Sequence, residues 1–270
     1  MSTATTLPAP PPTLIRLVTF EEPVFLTIQG EGNLVGTPSV FVRTYGCDFS
    51  CSWCDTKGSW QNGSYGADWE VEKVVDQVRS HRVGHAVITG GNPVLQGAAV
   101  AELAAGLRTA WTDQAFPEQT RTVREAMHVT LETQGSIFDD GLAHHVDLIS
   151  LSPKLHDWRE EPVKEWVSAM MRYPGKQAQI KVVCTGGLVS TPSAAIGRLH
   201  EVCKWAYKLW GERALTAIHN ILQPEFSLGR SGVQMVRSAL EQCLRGSPPG
   251  YRYPNIRVIP QVHKSSLFVK

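Results

Sequence analysis

Three cysteines, Cys47, Cys51 and Cys54, lie close together with the spacing C-x3-C-x2-C. Thiolates this near one another on one loop can converge on a metal centre. A structural zinc site is normally closed by four protein ligands, whereas a [4Fe–4S] cubane held by three cysteines keeps one iron open to a small molecule. The count of three therefore favours a reactive iron–sulfur cluster. The thiols alone also allow a zinc loop with a distant fourth ligand, or a disulfide pair with a spare thiol.

The residues around this loop narrow the interpretation. Ile28-Gln29-Gly30-Glu31-Gly32 lies upstream, Arg43 lies on the apolar segment before the loop, and Trp53-Cys54-Asp55-Thr56 closes it. Together with the thiol spacing, these motifs resemble the 7-carboxy-7-deazaguanine synthase family of the radical S-adenosylmethionine (SAM) superfamily. The resemblance extends from about Thr27 to Lys264, with gaps in the helices.

The resemblance implies a lyase of queuosine and 7-deazapurine biosynthesis. Such an enzyme converts 6-carboxy-5,6,7,8-tetrahydropterin to 7-carboxy-7-deazaguanine with loss of ammonia. A 5′-deoxyadenosyl radical abstracts the C6 hydrogen, and a Mg²⁺-assisted ring contraction follows. The implied cofactors are a [4Fe–4S] cluster, SAM and Mg²⁺, and the implied partners are the pterin substrate, an external electron donor and a second copy of the chain. The rivals are a glycyl-radical-activating radical SAM enzyme and a non-catalytic zinc-binding module.

The resemblance also assigns the cofactor ligands. Cys47, Cys51 and Cys54 are assigned as ligands of the cluster. Thr56 is assigned as a ligand of Mg²⁺, which prefers oxygen ligands. SAM is assigned to residues that end predicted strands: Gly91, Asn92, Ser152, Pro153, Lys154 and Gln223. The superfamily's motif usually has glutamate where this chain has Asn92, which keeps a carbonyl acceptor but has no charge, and some synthases of the family carry the same asparagine.

A third group is assigned to the substrate, a flat bicycle with amide-like edges and one carboxylate. It consists of Ile28, Gln29, Gly30, Glu31, Arg43, Thr89 and Glu132. The Arg43 guanidinium suits a carboxylate, although a buried Arg43–Glu31 ion pair without a ligand role is the alternative. Pro260 to Lys264 resembles the family's ending, which folds back over the site, whereas Ser265 to Lys270 departs from it and its role stays open.

Composition limits the other classes of function. A chain of 270 residues with 42% hydrophobic and 19% charged residues can form one globular α/β domain. The net charge of +1 gives no electrostatic case for nucleic acid or an anionic membrane surface. No apolar run approaches the roughly 20 residues that cross a bilayer, and no secretory signal is seen. We therefore expect a cytoplasmic protein whose six cysteines are thiols.

After the cysteine loop, strand and helix patterns alternate, which predicts parallel strands with right-handed crossovers. Residues 1–12 read as a disordered proline-rich tail, and 13–270 as a single domain. Predicted strands cover Thr13–Phe20, Ser39–Thr44, His85–Thr89, His128–Glu132, Asp147–Leu151, Gln179–Cys184, Ile218–Leu222 and Ile256–Ile259, with Thr27–Gly36 as a glycine-rich loop. An open doubly wound sheet or a partial (β/α)6 barrel would satisfy this order. Because the polar motifs follow strand ends, and the resemblance implies it, we predict the TIM-like partial barrel of the radical SAM type, with outer helices.

Overall fold

The computed structural model describes residues 11–61, 65–109, 111–112, 123–124, 126–185, 191–245 and 256–261. Its strands are β1 (Leu14–Val18), β2 (Val24–Ile28), β3 (Pro38–Thr44), β4 (Gly66–Glu70), β5 (His85–Gly90), β6 (Trp111–Thr112), β7 (Val123–Arg124), β8 (His128–Thr133), β9 (Leu148–Leu151), β10 (Gln177–Cys184), β11 (Ile218–Pro224) and β12 (Ile256–Val258). Its α-helices are α1 (Val71–Ser80), α2 (Gly97–Arg108), α3 (Asp140–His145), α4 (Glu160–Arg172), α5 (Pro192–Trp210), α6 (Glu212–Ala217) and α7 (Gly229–Arg245).

The main sheet has the order β12-β11-β10-β9-β8-β5-β3-β1-β4. From β3 to β12 its neighbours are parallel and follow one another in the chain, apart from β4, which pairs antiparallel with β1 at the sheet edge, and the separate β6–β7 pair. A doubly wound sheet would reverse its strand order part-way, so this arrangement excludes it. Among the described strands, β12 and β4 do not pair with each other, and the barrel stays open. The predicted partial barrel is confirmed.

Several elements differ from the prediction. Strand β2 includes Thr27 and Ile28, which we assigned to the glycine-rich loop. Strands β2, β4, β6 and β7 and helices α3 and α6 were not predicted. All six are short, and the strands β2 and β4 are half-exposed, so their hydrophobic periodicity is weak. The proline-rich tail lies almost wholly outside the described residues, as do residues 262–270.

The helices cover the outer face of the parallel sheet. Helix α1 buries Val71, Val74, Val75 and Val78, which recur at i, i+3, i+4 and i+7 and therefore share one face of the helix. Trp166 of α4 is fully buried, and its indole N–H donates to the carbonyl of Ile137. This bond ties α4 to the segment that follows β8. None of the described helices has the combination of length and apolar character that crossing a membrane needs.

Near the amino ends of three parallel strands, away from the polar motifs, lies a buried histidine. His85 is 4% exposed; its Nδ1 is 2.7 Å from Ser39 Oγ and its Nε2 is 2.8 Å from Thr130 Oγ1. Burial, assisted by the neighbouring His128 ring, lowers the pKa of His85 to about 4. The neutral imidazole therefore links β3, β5 and β8.

This histidine predicts acid sensitivity. A histidine in the unfolded chain titrates near pH ~6.5, so between pH 6.5 and pH 4 the unfolded state binds more protons than the folded state. The free energy of unfolding should then fall as the pH falls through this window, by about 2–3 kcal/mol at pH 4.5. Urea unfolding at pH 7.5 and 4.5 measures the loss, with His85→Gln as control. Equal pH dependence in wild type and variant would refute the prediction.

Candidate active site

The carboxyl ends of the parallel strands surround a cavity of about 770 Å³. Every predicted site residue lines it except Ile28, Asn92 and Pro153. Ile28 ends β2 with 38% of its surface exposed, while its neighbour Thr27 lines the cavity instead. The structure therefore brings the cysteine loop, the glycine-rich loop and the strand-end motifs to one place. The roles assigned to individual residues there remain predictions.

The three predicted cluster thiols share one wall of this cavity. The backbone N–H of Phe49 donates to Cys47 Sγ at 3.4 Å, and that of Thr56 donates to Cys54 Sγ at 3.4 Å. Burial raises the pKa of the Cys47 thiol to about 11 and also raises the pKa of Cys51, against the attraction of the nearby Lys154 cation. Deprotonating these thiols therefore calls for further positive charge, which a bound metal centre supplies.

The donor set fits a [4Fe–4S] cluster with an open iron. The described lining of the cavity contains no fourth cysteine and no histidine. Nor does the described part of the chain hold three His, Cys, Asp or Glu side chains arranged around a single ion. A cubane spreads its cysteine ligands more widely than one ion does, so loop thiols that face a common space suit the cubane better than a closed zinc site.

A close backbone contact joins the cysteine loop to the end of β5. The N–H of Gly91 donates to Thr44 O at 3.1 Å, and the N–H of Asn92 donates to Gly46 O at 2.7 Å. A Cβ at Gly91 would lie 2.0 Å from Gly46 O. The glycine is thus needed for packing, independently of its predicted contact with SAM.

We expect Gly91→Ala to displace the cysteine loop. The added Cβ would meet a backbone carbonyl that cannot rotate away, so the substitution should lower the free energy of unfolding by about 1–3 kcal/mol and weaken cluster retention. Iron content after anaerobic desalting, together with thermal unfolding, measures both effects. Gly84→Ala is the matched control, because a Cβ there meets nothing within 4 Å. Equal iron retention and stability in the two variants would contradict this interpretation.

Asn92 lies behind the cavity wall and is fully buried. Its Nδ2 donates to Asp48 Oδ1 at 2.8 Å and to Ser136 Oγ at 3.1 Å, while its Oδ1 accepts from Thr133 Oγ1 at 2.7 Å. These bonds occupy the side chain and tie the cysteine loop to the segment after β8. The predicted contact of Asn92 with SAM stays a prediction, and the geometry supports a positioning role for its side chain.

A lysine lies beside the thiols. Lys154 Nζ donates to Ser152 Oγ at 3.2 Å and lies 5.1 Å from the centre of the Trp53 ring. Desolvation lowers the pKa of Lys154, and the neighbouring thiols Cys51, Cys47 and Cys54 oppose this effect. A cation held here can attract the carboxylate of a ligand bound at the cluster.

Two carboxylates organise the side of the cavity predicted to bind substrate. Glu132 Oε1 accepts from Gln29 Nε2 at 3.3 Å, and Glu132 Oε2 accepts from Thr89 Oγ1 at 2.8 Å. The other carboxylate, Glu31, accepts from the side chains of three residues: Lys181, Gln223 at 3.3 Å and Gln261 at 2.5 Å. Substrate-loop residues are thereby fixed against strands on two sides of the barrel.

Lys181 is the cation of this network and was not predicted. Its side chain is 8% exposed and forms an ion pair with Glu31, whose side chain is 11% exposed. Burial alone lowers the pKa of Lys181, but the attraction of Glu31, Glu132 and Asp55 outweighs it and raises that pKa above its ordinary value. Lys181 therefore keeps its charge inside the cavity.

Arg43 does not pair with Glu31, so the alternative of a buried Arg43–Glu31 ion pair is wrong. Its Nε lies 2.5 Å from Glu21 Oε1, and its terminal nitrogen donates to Thr56 Oγ1 at 3.4 Å. The Thr56 hydroxyl in turn donates to Asp55 Oδ1 at 2.9 Å. The oxygens of Thr56 and Asp55 are of the type that Mg²⁺ prefers, next to a guanidinium that suits a carboxylate.

Sequence reasoning missed Lys181, its strand neighbour Gln179, and Glu21. A signal existed in β10, where Gln179 and Lys181 alternate with apolar residues in a buried strand. Gln179 Oε1 accepts from the N–H of Asn33 at 2.8 Å, and thus anchors the glycine-rich loop. Gln261 belongs to the family-like ending, most of which lies outside the described residues.

Comparison with known families gives one match over more than half of the chain. The profile described as Radical SAM superfamily matches residues 41–188. This segment runs from β3 to just beyond β10 and includes the cysteine loop.

Curated relatives match over shorter stretches. A 7-carboxy-7-deazaguanine synthase from Halobacterium salinarum is 37% identical over 140 residues, covering 49% of this chain and 44% of that protein. One from Pyrobaculum aerophilum is 44% identical over 134 residues, covering 49% of this chain and 53% of that protein. The chain thus spans about half the length of the curated relatives it matches.

Solved structures agree on the fold. QueE from Escherichia coli superposes with a TM-score of 0.54 at 17% identity, covering 93% of this chain and 95% of that one. SuiB from Streptococcus suis, bound to its precursor peptide SuiA, gives a TM-score of 0.52 at 13% identity, covering 81% of this chain and 47% of that one. At these identities the likeness concerns the fold alone.

Proposed function

The chain belongs to the radical SAM superfamily. We propose that, within this superfamily, it is a 7-carboxy-7-deazaguanine synthase. Its reaction would convert 6-carboxy-5,6,7,8-tetrahydropterin to 7-carboxy-7-deazaguanine and ammonia. The observation that carries this proposal is that three thiols line the same cavity as a buried, charged polar network. The names of the partial-length relatives support the same reaction.

A reduced cluster with SAM bound would supply radical chemistry at C6 of the pterin, whose hydrogen is not acidic enough for a side-chain base. Cys47, Cys51 and Cys54 would hold the cluster. Lys154 would attract the carboxylate of SAM, while the backbone at Gly91 would receive its amino group. The cavity of about 770 Å³ lies in the upper part of the usual range of ~300–1,000 Å³, so a cofactor and a small substrate can share it.

The substrate side of the cavity suits a pterin. Glu31 and Glu132 can accept the N–H donors of the bicycle's edge, and the cation of Lys181 can face its carbonyl oxygen. Arg43 would bind the pterin carboxylate, with Mg²⁺ held by Thr56 and the neighbouring Asp55 oxygen. Gln29 and Thr89 hold the Glu132 carboxylate, and Gln223 holds that of Glu31, before any ligand arrives. These two acceptors therefore need little ordering on binding.

The reaction needs no net oxidant. Substrate and product differ by one molecule of ammonia, so the hydrogen taken from C6 is returned and SAM is regenerated in each turnover. An external electron donor is then needed only to reduce the cluster. We place this enzyme in the cytoplasm as a homodimer.

Anaerobic incubation with the carboxypterin, SAM, Mg²⁺ and a chemical reductant tests the proposal. We expect 7-carboxy-7-deazaguanine and ammonia in equal amounts, with many turnovers per SAM. Deoxyadenosine formed without consumption of the pterin would refute the synthase and favour a radical SAM enzyme that acts on a partner protein. A colourless protein with stoichiometric zinc would favour the binding module.

A further inference from the structure

Gln134 follows β8 and places its carboxamide against the cysteine loop. Its Nε2 lies 2.7 Å from Gly91 O and 3.1 Å from Cys47 Sγ. A backbone carbonyl can only accept, so the amide nitrogen, not the amide oxygen, must face Gly91. This contact fixes the orientation of the carboxamide, and the second N–H of the same nitrogen is left for the sulfur.

Gln134 makes its contacts with Gly91 and Cys47 through its amide nitrogen and not through its amide oxygen. Its Oε1 is buried and has no hydrogen-bond partner within the described chain. An unpaired buried acceptor is unfavourable, so the side chain is not held there to satisfy its own oxygen. Gln134 also lines the cavity, which places its amide on the same side of the loop as the three thiols.

We propose that Gln134 is a positioning residue that donates a hydrogen bond to the Cys47 sulfur and thereby raises the reduction potential of the cluster. The proposal rests on the proposed function, because it requires the cluster on Cys47. Reduction adds an electron whose charge is shared with the cysteine sulfurs. A hydrogen bond to a sulfur therefore stabilises the reduced cluster more than the oxidised one.

The hydrogen bond from Gln134 to Gly91 keeps the amide beside the Cys47 sulfur. The hydrogen bond to Gly91 O holds the amide in place at the joint between β5 and the cysteine loop, where Gly91 already touches Gly46. Loss of the amide should leave the cluster bound but harder to reduce. Removal of one hydrogen bond corresponds to about a three- to tenfold change in the ratio of reduced to oxidised cluster at a fixed potential.

The test is an anaerobic redox titration followed by electron paramagnetic resonance, with Gln134→Leu compared with wild type. We expect the cluster of Gln134→Leu to have a lower midpoint potential than that of wild type. The decrease should correspond to the change of about three- to tenfold in the ratio of reduced to oxidised cluster. The matched control is Gln96→Leu, because Gln96 is also a glutamine bonded to the backbone but contacts no sulfur and does not line the cavity. Its Nε2 donates to Arg16 O at 2.9 Å and Tyr45 O at 3.0 Å, and its Oε1 accepts from the N–H of Arg16 at 2.6 Å. Its potential should equal that of wild type.

A second measurement needs no variant. Wild-type protein labelled with ¹⁵N on its glutamine side chains should show hyperfine coupling between the reduced cluster and one amide nitrogen. A midpoint potential of Gln134→Leu equal to that of wild type would overturn the proposal. If the variant does not fold, the absence of hyperfine coupling in labelled wild type would overturn it. Both results would leave the cluster assignment intact. A wild-type protein without a cluster would overturn the proposed function instead, and this inference with it.

Discussion

The Cys51→Ala variant should contain less iron after anaerobic reconstitution and should form no deoxyadenosine from SAM. Only three thiols line the described cavity, so removing one leaves two protein ligands for a centre that needs three to stay bound. The backbone N–H groups that donate to Cys47 and Cys54 cannot replace a missing thiolate. We expect loss of the brown absorbance and a fall in SAM cleavage to background.

The matched control for this variant is Cys184→Ala. Cys184 is fully buried, burial raises the pKa of its thiol to about 12, and it does not line the cavity. It behaves as a small apolar side chain, so its variant should keep both iron and SAM cleavage. If Cys51→Ala retained a full complement of iron, or if the two variants lost iron equally, the assignment of the cysteine loop would be wrong.

The Glu31→Gln variant should be much less stable than the wild-type protein. It removes the charge that pairs with Lys181, whose side chain is 8% exposed. Removing one partner of a buried ion pair costs about 3–5 kcal/mol, because the other charge is left without compensation. Glu132 and Asp55 also attract Lys181, so we expect a loss near the lower end of this range, measured by urea unfolding at pH 7.5.

A double variant separates the ion pair from the rest of the network. Glu31→Gln combined with Lys181→Met removes both charges, so it should be more stable than the sum of the two single losses predicts. Glu241→Gln is the control, since the Arg237–Glu241 pair is exposed and its loss should change stability by less than about 0.5 kcal/mol. Wild-type stability in Glu31→Gln would contradict the role of Glu31 as the centre of this network.

Much of the fold could be predicted because long strands and helices carry strong periodic signals. The buried face of α1 follows from the spacing of its valines, and the parallel strands β3, β5, β8, β9, β10 and β11 follow from the alternation of strand and helix patterns. The strands β2 and β4 carry no such signal, because one or both of their faces are partly exposed and they pair antiparallel at the far side of the sheet. Their existence depends on tertiary contacts.

The site was predictable where a motif is local and less so where it depends on contact between distant strands. The cysteine loop and the Glu132 segment lie where their motifs placed them. The pairing of Glu31 with Lys181 joins residues 150 positions apart, and no local pattern could identify it. The side-chain hydrogen bonds of Asn92 show the same limit, since its partners Asp48 and Thr133 come from the cysteine loop and from the end of β8.

The central claim is that three cysteines hold a cluster with one iron free to bind SAM. Electron paramagnetic resonance of the anaerobically reduced wild-type protein, recorded with and without SAM and alongside iron analysis, tests it directly. We expect four irons per chain and a spectrum that changes on addition of SAM, because one iron lacks a protein ligand. A spectrum that SAM leaves unaltered, or a protein without iron, would contradict the claim.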